Sequence, residues 1–230
     1  MPSTFTREHP SPRYLELLAL YRSMHLEGEK FVGLPAAQTF PGKSLLLQAR
    51  RIKALIAASS AANILDYGSG KGMQYQVMPL KFDEAGEFES MQDYWDVDFI
   101  HCYDPGYQPY SVLPAGQFDG VICTDVLEHC PEDDLPWIIA ELFAYARRFV
   151  FVSVAVYFAS KRLPNGENAH ATVREAAWWQ RLFGEAAVRR GDIRWEVLLD
   201  HRDPQPDGSF RRREVLIGSA HPAPAASFGR

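Results

Sequence analysis

The chain has 230 residues, 47% of them hydrophobic, with a formal net charge of −5 at pH 7. That length and apolar content suit a single α/β domain with an ample core, and the acidic balance argues against nucleic-acid binding through a basic surface. No run approaches the roughly 18 uninterrupted apolar residues of a membrane helix. The first ten residues lack the basic start and apolar centre of a signal peptide. Cys102, Cys123 and Cys130 read as reduced thiols of a cytoplasmic protein.

Taken in chain order, residues 1–10 carry no periodic pattern and are expected to be disordered. From Pro12, the apolar positions Tyr14, Leu17, Leu18, Tyr21 and Met24 recur at helical spacing and predict an amphipathic helix that Gly28 ends. Ser44 is a candidate N-cap for a helix to about residue 58. A strand over residues 63–66 runs into a glycine-rich turn, and a crossover helix is expected from Gly72 to near Pro79. A second strand covers residues 99–103, ending at Asp104-Pro105-Gly106, and a further strand covers 120–124. Pro131 and the acids Glu132, Asp133 and Asp134 open a helix to about Ala146, since acids suit a helix N-terminus. Residues 149–154 are continuously apolar, as in a strand buried on both faces. A helix over 178–190 is closed by Gly191, and strands at 195–199 and 214–217 flank a Pro- and Gly-rich turn. Arg211-Arg212-Arg213, the one dense basic run, reads as a solvated turn. Trp178 and Trp179 read as mainly core. The expected organisation is a tail and helical extension over residues 1–58, a core domain over 59–220 and a mobile tail over 221–230.

The most informative stretch is Ile64-Leu-Asp-Tyr-Gly-Ser-Gly-Lys-Gly72. A phosphate-binding Walker loop is excluded twice, because Leu65 stands where its first glycine belongs and Gly72 where its hydroxyl belongs. A dinucleotide fingerprint fits poorly, because the third glycine comes one residue early. What remains is Asp-x-Gly-x-Gly-x-Gly, from Asp66 through Gly68 and Gly70 to Gly72. Further on, Phe118-Asp-Gly-Val-Ile-Cys-Thr-Asp-Val-Leu-Glu-His129 reads as a strand with its following loop.

With these two motifs in this order, the chain resembles the class I S-adenosylmethionine (SAM)-dependent methyltransferases over about residues 40–220. The Val-Leu-Glu-His segment is similar to that of ubiquinone-biosynthesis-type, small-molecule enzymes. The resemblance implies a Rossmann-like methyltransferase sheet, mostly parallel, with a C-terminal antiparallel hairpin. It implies SAM as cofactor, S-adenosylhomocysteine as product, and methyl transfer to an acceptor. A small molecule, sugar or lipid head group suits the charge better than nucleic acid, and oligomeric state is not readable.

By the same resemblance, Asp66, Tyr67, Gly68, Ser69, Gly70 and Gly72 line the methionine end of the cofactor. Asp66 would act on the ammonium through water or backbone, and a Cβ at Gly68 or Gly70 would clash with the ligand or the turn. Thr124 and Asp125 stand at the end of a strand, where open α/β sheets bind ligands, while Asp119 steadies the turn into that strand. The spacing from Asp66 to Asp104 is long and that from Asp104 to Asp119 short for this family. The third strand with its helix is therefore expected to be missing or reduced, and residues 81–97 to be an insertion whose Tyr94 and Trp95 reach over the site as a lid. Asp104 has two readings, the ribose hydroxyls or the adenine amino group. Glu128 and His129 are either beside the reacting methyl or a capping acid with a surface histidine. His170 is either the general base or a hydrogen-bonded turn residue. Cys123, Cys130 and His129 invite a metal reading, but none is expected, because Cys123 sits mid-strand and no second Cys-x-x-Cys or His pair completes four ligands. Two rivals are a non-catalytic binding protein on the same fold and a nicotinamide-dependent oxidoreductase.

Overall fold

The computed structural model describes residues 5–76, 79–82 and 86–219. The expected C-terminal tail from residue 221, and the first four residues, lie outside them. Among these described residues, eight strands and five α-helices follow one another: α1 (Pro12–Glu27), α2 (Ala49–Ser59), β1 (Asn63–Tyr67), β2 (Leu80–Phe82), β3 (Gly86–Phe88), α3 (Met91–Trp95), β4 (Phe99–Tyr103), β5 (Phe118–Thr124), α4 (Leu135–Tyr145), β6 (Ala146–Ala155), α5 (Ala176–Ala187), β7 (Arg194–Pro204) and β8 (Phe210–Gly218). Six strands form one sheet in the order β4-β1-β5-β6-β7-β8, and β2 pairs β3 separately. The first five are parallel, and β8 returns antiparallel along β7 from Pro204↔Phe210 to Glu196↔Gly218. This is a Rossmann-like sheet with a C-terminal antiparallel hairpin. The chain runs from β4 straight to β5 without an intervening strand, so β4 is the sheet edge and the third strand is absent, as the short spacing implied.

Side chains on successive strand residues alternate between two cores. Ile64, Ile122, Phe149, Phe151 and Leu198 pack under Ile52, Leu55 and Ile56 of α2 with Met91, Tyr94 and Trp95 of α3. Leu65, Val121, Cys123, Val150, Val152 and Val197 pack under Ile138, Ile139 and Leu142 of α4 with Trp179 and Phe183 of α5. Burying each such side chain contributes about 1.5–3 kcal/mol. Tyr94 and Trp95 therefore sit in the core rather than over the site, and Trp95 Nε1 donates to Ala49 O at 3.0 Å. The insertion uses the aromatics to anchor α3 on α2, which removes the lid reading.

Further expectations need correction. The 73–79 segment is only a single 3₁₀ turn over Met73–Tyr75 among the described residues; Val77 and Met78 lie outside them. A longer helix would have to give up the inward direction of two adjacent side chains, since Gln74 and Tyr75 both donate to the buried Asp66 carboxylate (3.1 and 2.8 Å). The helix expected from Ser44 starts later. Lys43–Gln48 is 3₁₀ with left-handed Gly42 before it, and Ser44 makes no cap. Finally, residues 5–10 are ordered by Arg7, whose guanidinium donates to Glu141, to Tyr67 Oη at 2.6 Å and to Tyr103 Oη at 3.2 Å, and lies 4.9 Å from the Trp137 ring centre.

The N-terminal helix keeps its expected limits. Ser11 Oγ accepts from Tyr14 N at 3.0 Å, and Gly28 closes the other end in a positive-φ conformation. Leu17 and Met24 of α1 pack with Leu163 and Ala169, so α1 lies against the loop after β6. Arg211, Arg212 and Arg213 belong to β8 rather than a turn and pair across the hairpin with Asp200 and Asp203.

Candidate functional site

The chain leaves β1 for β4 on one side and then returns to β5 on the other, so strand order reverses between β1 and β5. Ligands of open α/β sheets bind outside the carboxyl ends of the strands at such a reversal. A cleft of about 430 Å³ opens there, floored by Gly68, Gly70 and Thr124 and roofed by Tyr14, Leu17, Tyr21 and His25 of α1. That volume is within the range of small-molecule sites.

One wall is the glycine turn, and the protein itself satisfies it. Gly68 N and Ser69 N donate to Tyr103 O (2.7 and 3.1 Å), Gly70 N to Asp104 Oδ2 (2.9 Å) and Lys71 N to Phe40 O (2.9 Å). Gly70 has φ +60, and a Cβ there would stand 2.4 Å from Phe40 O; at Gly68 (φ +87) it would meet Val126 Cγ2 at 2.3 Å. The clash expected at these glycines is thus with the chain's own covering segment. Phe40 has a left-handed φ of 51, a strained setting for a bulky residue, held by its ring contacts with Tyr21 and His25.

Beneath this turn Asp66 is 1% exposed, with Oδ2 accepting from Gln74 and Tyr75 and Oδ1 lacking a partner among the described residues. Burial raises its carboxyl from 3.8 to about 7 against those two hydrogen bonds. Asp104, at the end of β4, faces the cleft. Its oxygens accept from Gly70 N and Gly106 N (2.9 and 2.8 Å), and burial raises it to about 6. His25 Nε2 lies 3.9 Å from Asp104 Oδ1. Burial and the Lys71 ammonium, 3.1 Å from its Nδ1, hold this histidine down at about 4 and therefore neutral.

The opposite wall comes from the ends of β5 and β6. Asp125 follows β5 with φ 55, a conformation Asp tolerates, and Oδ1 accepts from Ser153 Oγ at 3.0 Å. The next turn, Leu127–His129, buries Glu128 completely. Its Oε1 accepts from Ala155 N at 2.9 Å, and Oε2 has no hydrogen-bond partner among the described residues. Burial, then the Asp125 charge, push the Glu128 carboxyl well above its usual range. His129 Nδ1 lies 2.8 Å from Ala169 O and 2.9 Å from Tyr21 Oη. His170 Nδ1 lies 2.5 Å from Tyr157 O, and the two rings are 5.0 Å apart. A carbonyl oxygen attracts only a protonated nitrogen, so each ring carries its hydrogen on Nδ1 and a lone pair on Nε2. Burial lowers both, His129 to about 3, so both imidazoles are neutral.

Of the residues singled out from sequence, Gly68, Gly70, Asp104, Thr124, Asp125, Glu128, His129 and His170 meet in this cleft. Asp66, Ser69 and Gly72 shape the turn without lining the cleft. Tyr67 points to the far side, where its hydroxyl donates to Glu141 at 2.6 Å. Asp119 accepts from Ala62 N at 2.9 Å at the start of its strand. Sequence reasoning missed Tyr21, His25, Phe40, Lys161 and Arg202, all of which line the cleft. Tyr21 and His25 carried a usable signal, being four apart on one helix face; the others are brought in by loops.

No protein-family model matches the chain, and no curated protein does. Among solved structures the chain is similar to one described as "DhpI-SAH complex structure", at 15% identity over 90% of this chain and 81% of that one, with a TM-score of 0.31. So distant a likeness carries no argument about this chain. Among the described residues no helix is long and apolar enough to cross a membrane.

Proposed function

We propose that the protein binds SAM in this cleft and transfers its methyl group to a small-molecule acceptor. The observation that carries the reading is the position of the Asp-x-Gly-x-Gly-x-Gly turn. It lies at the strand-order reversal, beside an acid at the end of the neighbouring strand and across from three groups bearing unused lone pairs. When bound, SAM supplies a methyl already activated on a sulfonium, so the protein's task is alignment, water exclusion and proton removal.

The residues suit such a ligand. Asp104 keeps acceptor capacity beyond the hydrogen bonds it takes from the Gly70, Gly106 and Tyr107 backbones, which would serve a ribose hydroxyl. Gly68 and Gly70 give a floor without side chains, while Lys43 and Ser44 supply donors for a carboxylate. Asp66 would act from below by holding Gln74 and Tyr75 and so the shape of the turn. The acceptor would enter beside Glu128, His129 and His170. His170, neutral with a free Nε2, would take the acceptor's proton as its lone pair closes on the methyl carbon and the carbon–sulfur pair stays on sulfur. A sugar, lipid head group or other small molecule carrying a hydroxyl or amine fits this wall.

The full satisfaction of the turn's N–H groups by Phe40, Tyr103 and Asp104 favours a second reading, a binding protein that keeps the sheet without catalysis. Thermal unfolding with SAM, S-adenosylhomocysteine, NADH and ATP separates these. A ligand at about 100 times its dissociation constant adds roughly 2.7 kcal/mol, or about 5–10 °C here. A rise with the first two alone is expected; no rise with either removes the methyltransferase reading and leaves the second.

A further inference from the structure

We propose that Glu128, His129 and His170 form a binding site for one first-row divalent transition-metal ion. One donor atom from each residue, either ring nitrogen in the case of a histidine, lies within 4.8 Å of the other two. Donors around a bound first-row ion stand about 3.0–3.5 Å apart, given bonds of about 2.0–2.2 Å, so modest side-chain rotations close the set. The linear sequence shows no histidine pair; the loop after β6 makes one by bringing His170, 41 residues further on, beside His129.

The site is built as well as assembled. Each histidine spends its Nδ1 hydrogen on a backbone carbonyl, Ala169 O or Tyr157 O, which orients the ring and leaves Nε2 to ligate. Metal-binding histidines are held in this way by outer-shell acceptors. Tyr21 Oη, also on Ala169 O, adds a second outer-shell contact to His129. Glu128 Oε2 is buried and has no hydrogen bond among the described residues, an expensive state for a carboxylate. A proton would relieve that one oxygen; a divalent ion would engage it together with both imidazole lone pairs. Two nitrogens with a carboxylate select manganese, iron, cobalt or zinc over magnesium and calcium, which prefer oxygen alone.

An ion there faces the acceptor side of the cleft, where it would hold an acceptor oxygen and lower its pKa; this last role rests on the methyltransferase reading, and His170 would then ligate instead of taking the proton. The binding itself does not depend on that reading.

The test is Co²⁺ titration of the untagged, chelator-treated full chain without SAM, read by visible absorbance. One equivalent should bind and give the d–d bands of a nitrogen-and-oxygen-ligated ion. His129→Gln, His170→Gln and Glu128→Gln should each weaken binding about 100-fold or more, with unchanged circular dichroism. Tyr21→Phe, which removes only an outer contact, should weaken it by about 10-fold. Absence of binding at millimolar Co²⁺, or stoichiometric binding that survives His170→Gln, overturns the site. SAM binding by the chelated chain without Co²⁺ binding would refute the metal and leave the cofactor reading intact; Co²⁺ binding without SAM binding would do the reverse.

Discussion

The two walls of the cleft differ in how their polar groups are used. On the glycine wall every turn N–H from Gly68 to Lys71 is taken by Tyr103, Asp104 or Phe40, and the glycine hydrogens face the chain's own atoms. On the facing wall Glu128 Oε2 and two imidazole nitrogens are unspent among the described residues. The first wall is stabilised by what already touches it, whereas the second is set up for something yet to arrive. Substitutions should therefore separate the walls. Changes on the glycine wall should act mainly on stability, and changes on the facing wall mainly on ligands.

The largest expected effect is Gly70→Val. A β-branched side chain at φ +60, with its Cβ 2.4 Å from Phe40 O, should cost more than about 4 kcal/mol and release the segment around Phe40. Urea denaturation measures this, and a loss below 1 kcal/mol would mean that the wall is not self-packed.

Asp66 gives the next effect, through pH. Its folded-state value of about 7 lies above the reference 3.8, so the folded chain keeps a proton that the unfolded chain has lost between those limits. Its contribution is full below about pH 4, fades as pH rises to about 7 and is flat beyond. Asp104, raised to about 6, acts in the same direction. Asp66→Asn should remove a decline of up to about 4 kcal/mol across this window. Parallel stability–pH curves for the two proteins would contradict the buried-acid account.

Arg7→Ala comes third. It leaves Glu141, Tyr67 and Tyr103 without their shared donor and should cost about 2 kcal/mol, a melting shift of roughly 4–8 °C. An unchanged melting point would mean that residues 5–10 are not part of the fold. The smallest effect belongs to the facing wall, where His170→Gln should change stability by less than about 0.5 kcal/mol. A loss comparable to Gly70→Val would give His170 a packing role and erase the contrast.

The sequence carried the sheet well where strands are continuously apolar. The strand ending at Tyr103, the buried β6 run and the terminal hairpin all form, and the close spacing of Asp104 and Asp119 correctly removed a strand. It failed where tertiary contacts overrule local preference. Gln74 and Tyr75 are good helix material turned inward by one buried carboxylate, and Trp95 is a core anchor in a segment that read as a flap. The glycine wall was legible because its residues are consecutive. The facing wall was legible residue by residue but not as a cluster, since the approach of His170 to His129 depends on loop closure over α1. Phe40 gave no signal, because nothing in its neighbours announces a left-handed phenylalanine laid over Gly70.

The most direct test of the account is the crystal structure of the full chain grown with saturating S-adenosylhomocysteine. The account predicts the ligand in the cleft between the glycine turn and the Glu128–His129–His170 wall, with its ribose hydroxyls on Asp104. A cleft without the ligand, or the ligand bound elsewhere on the molecule, would contradict it.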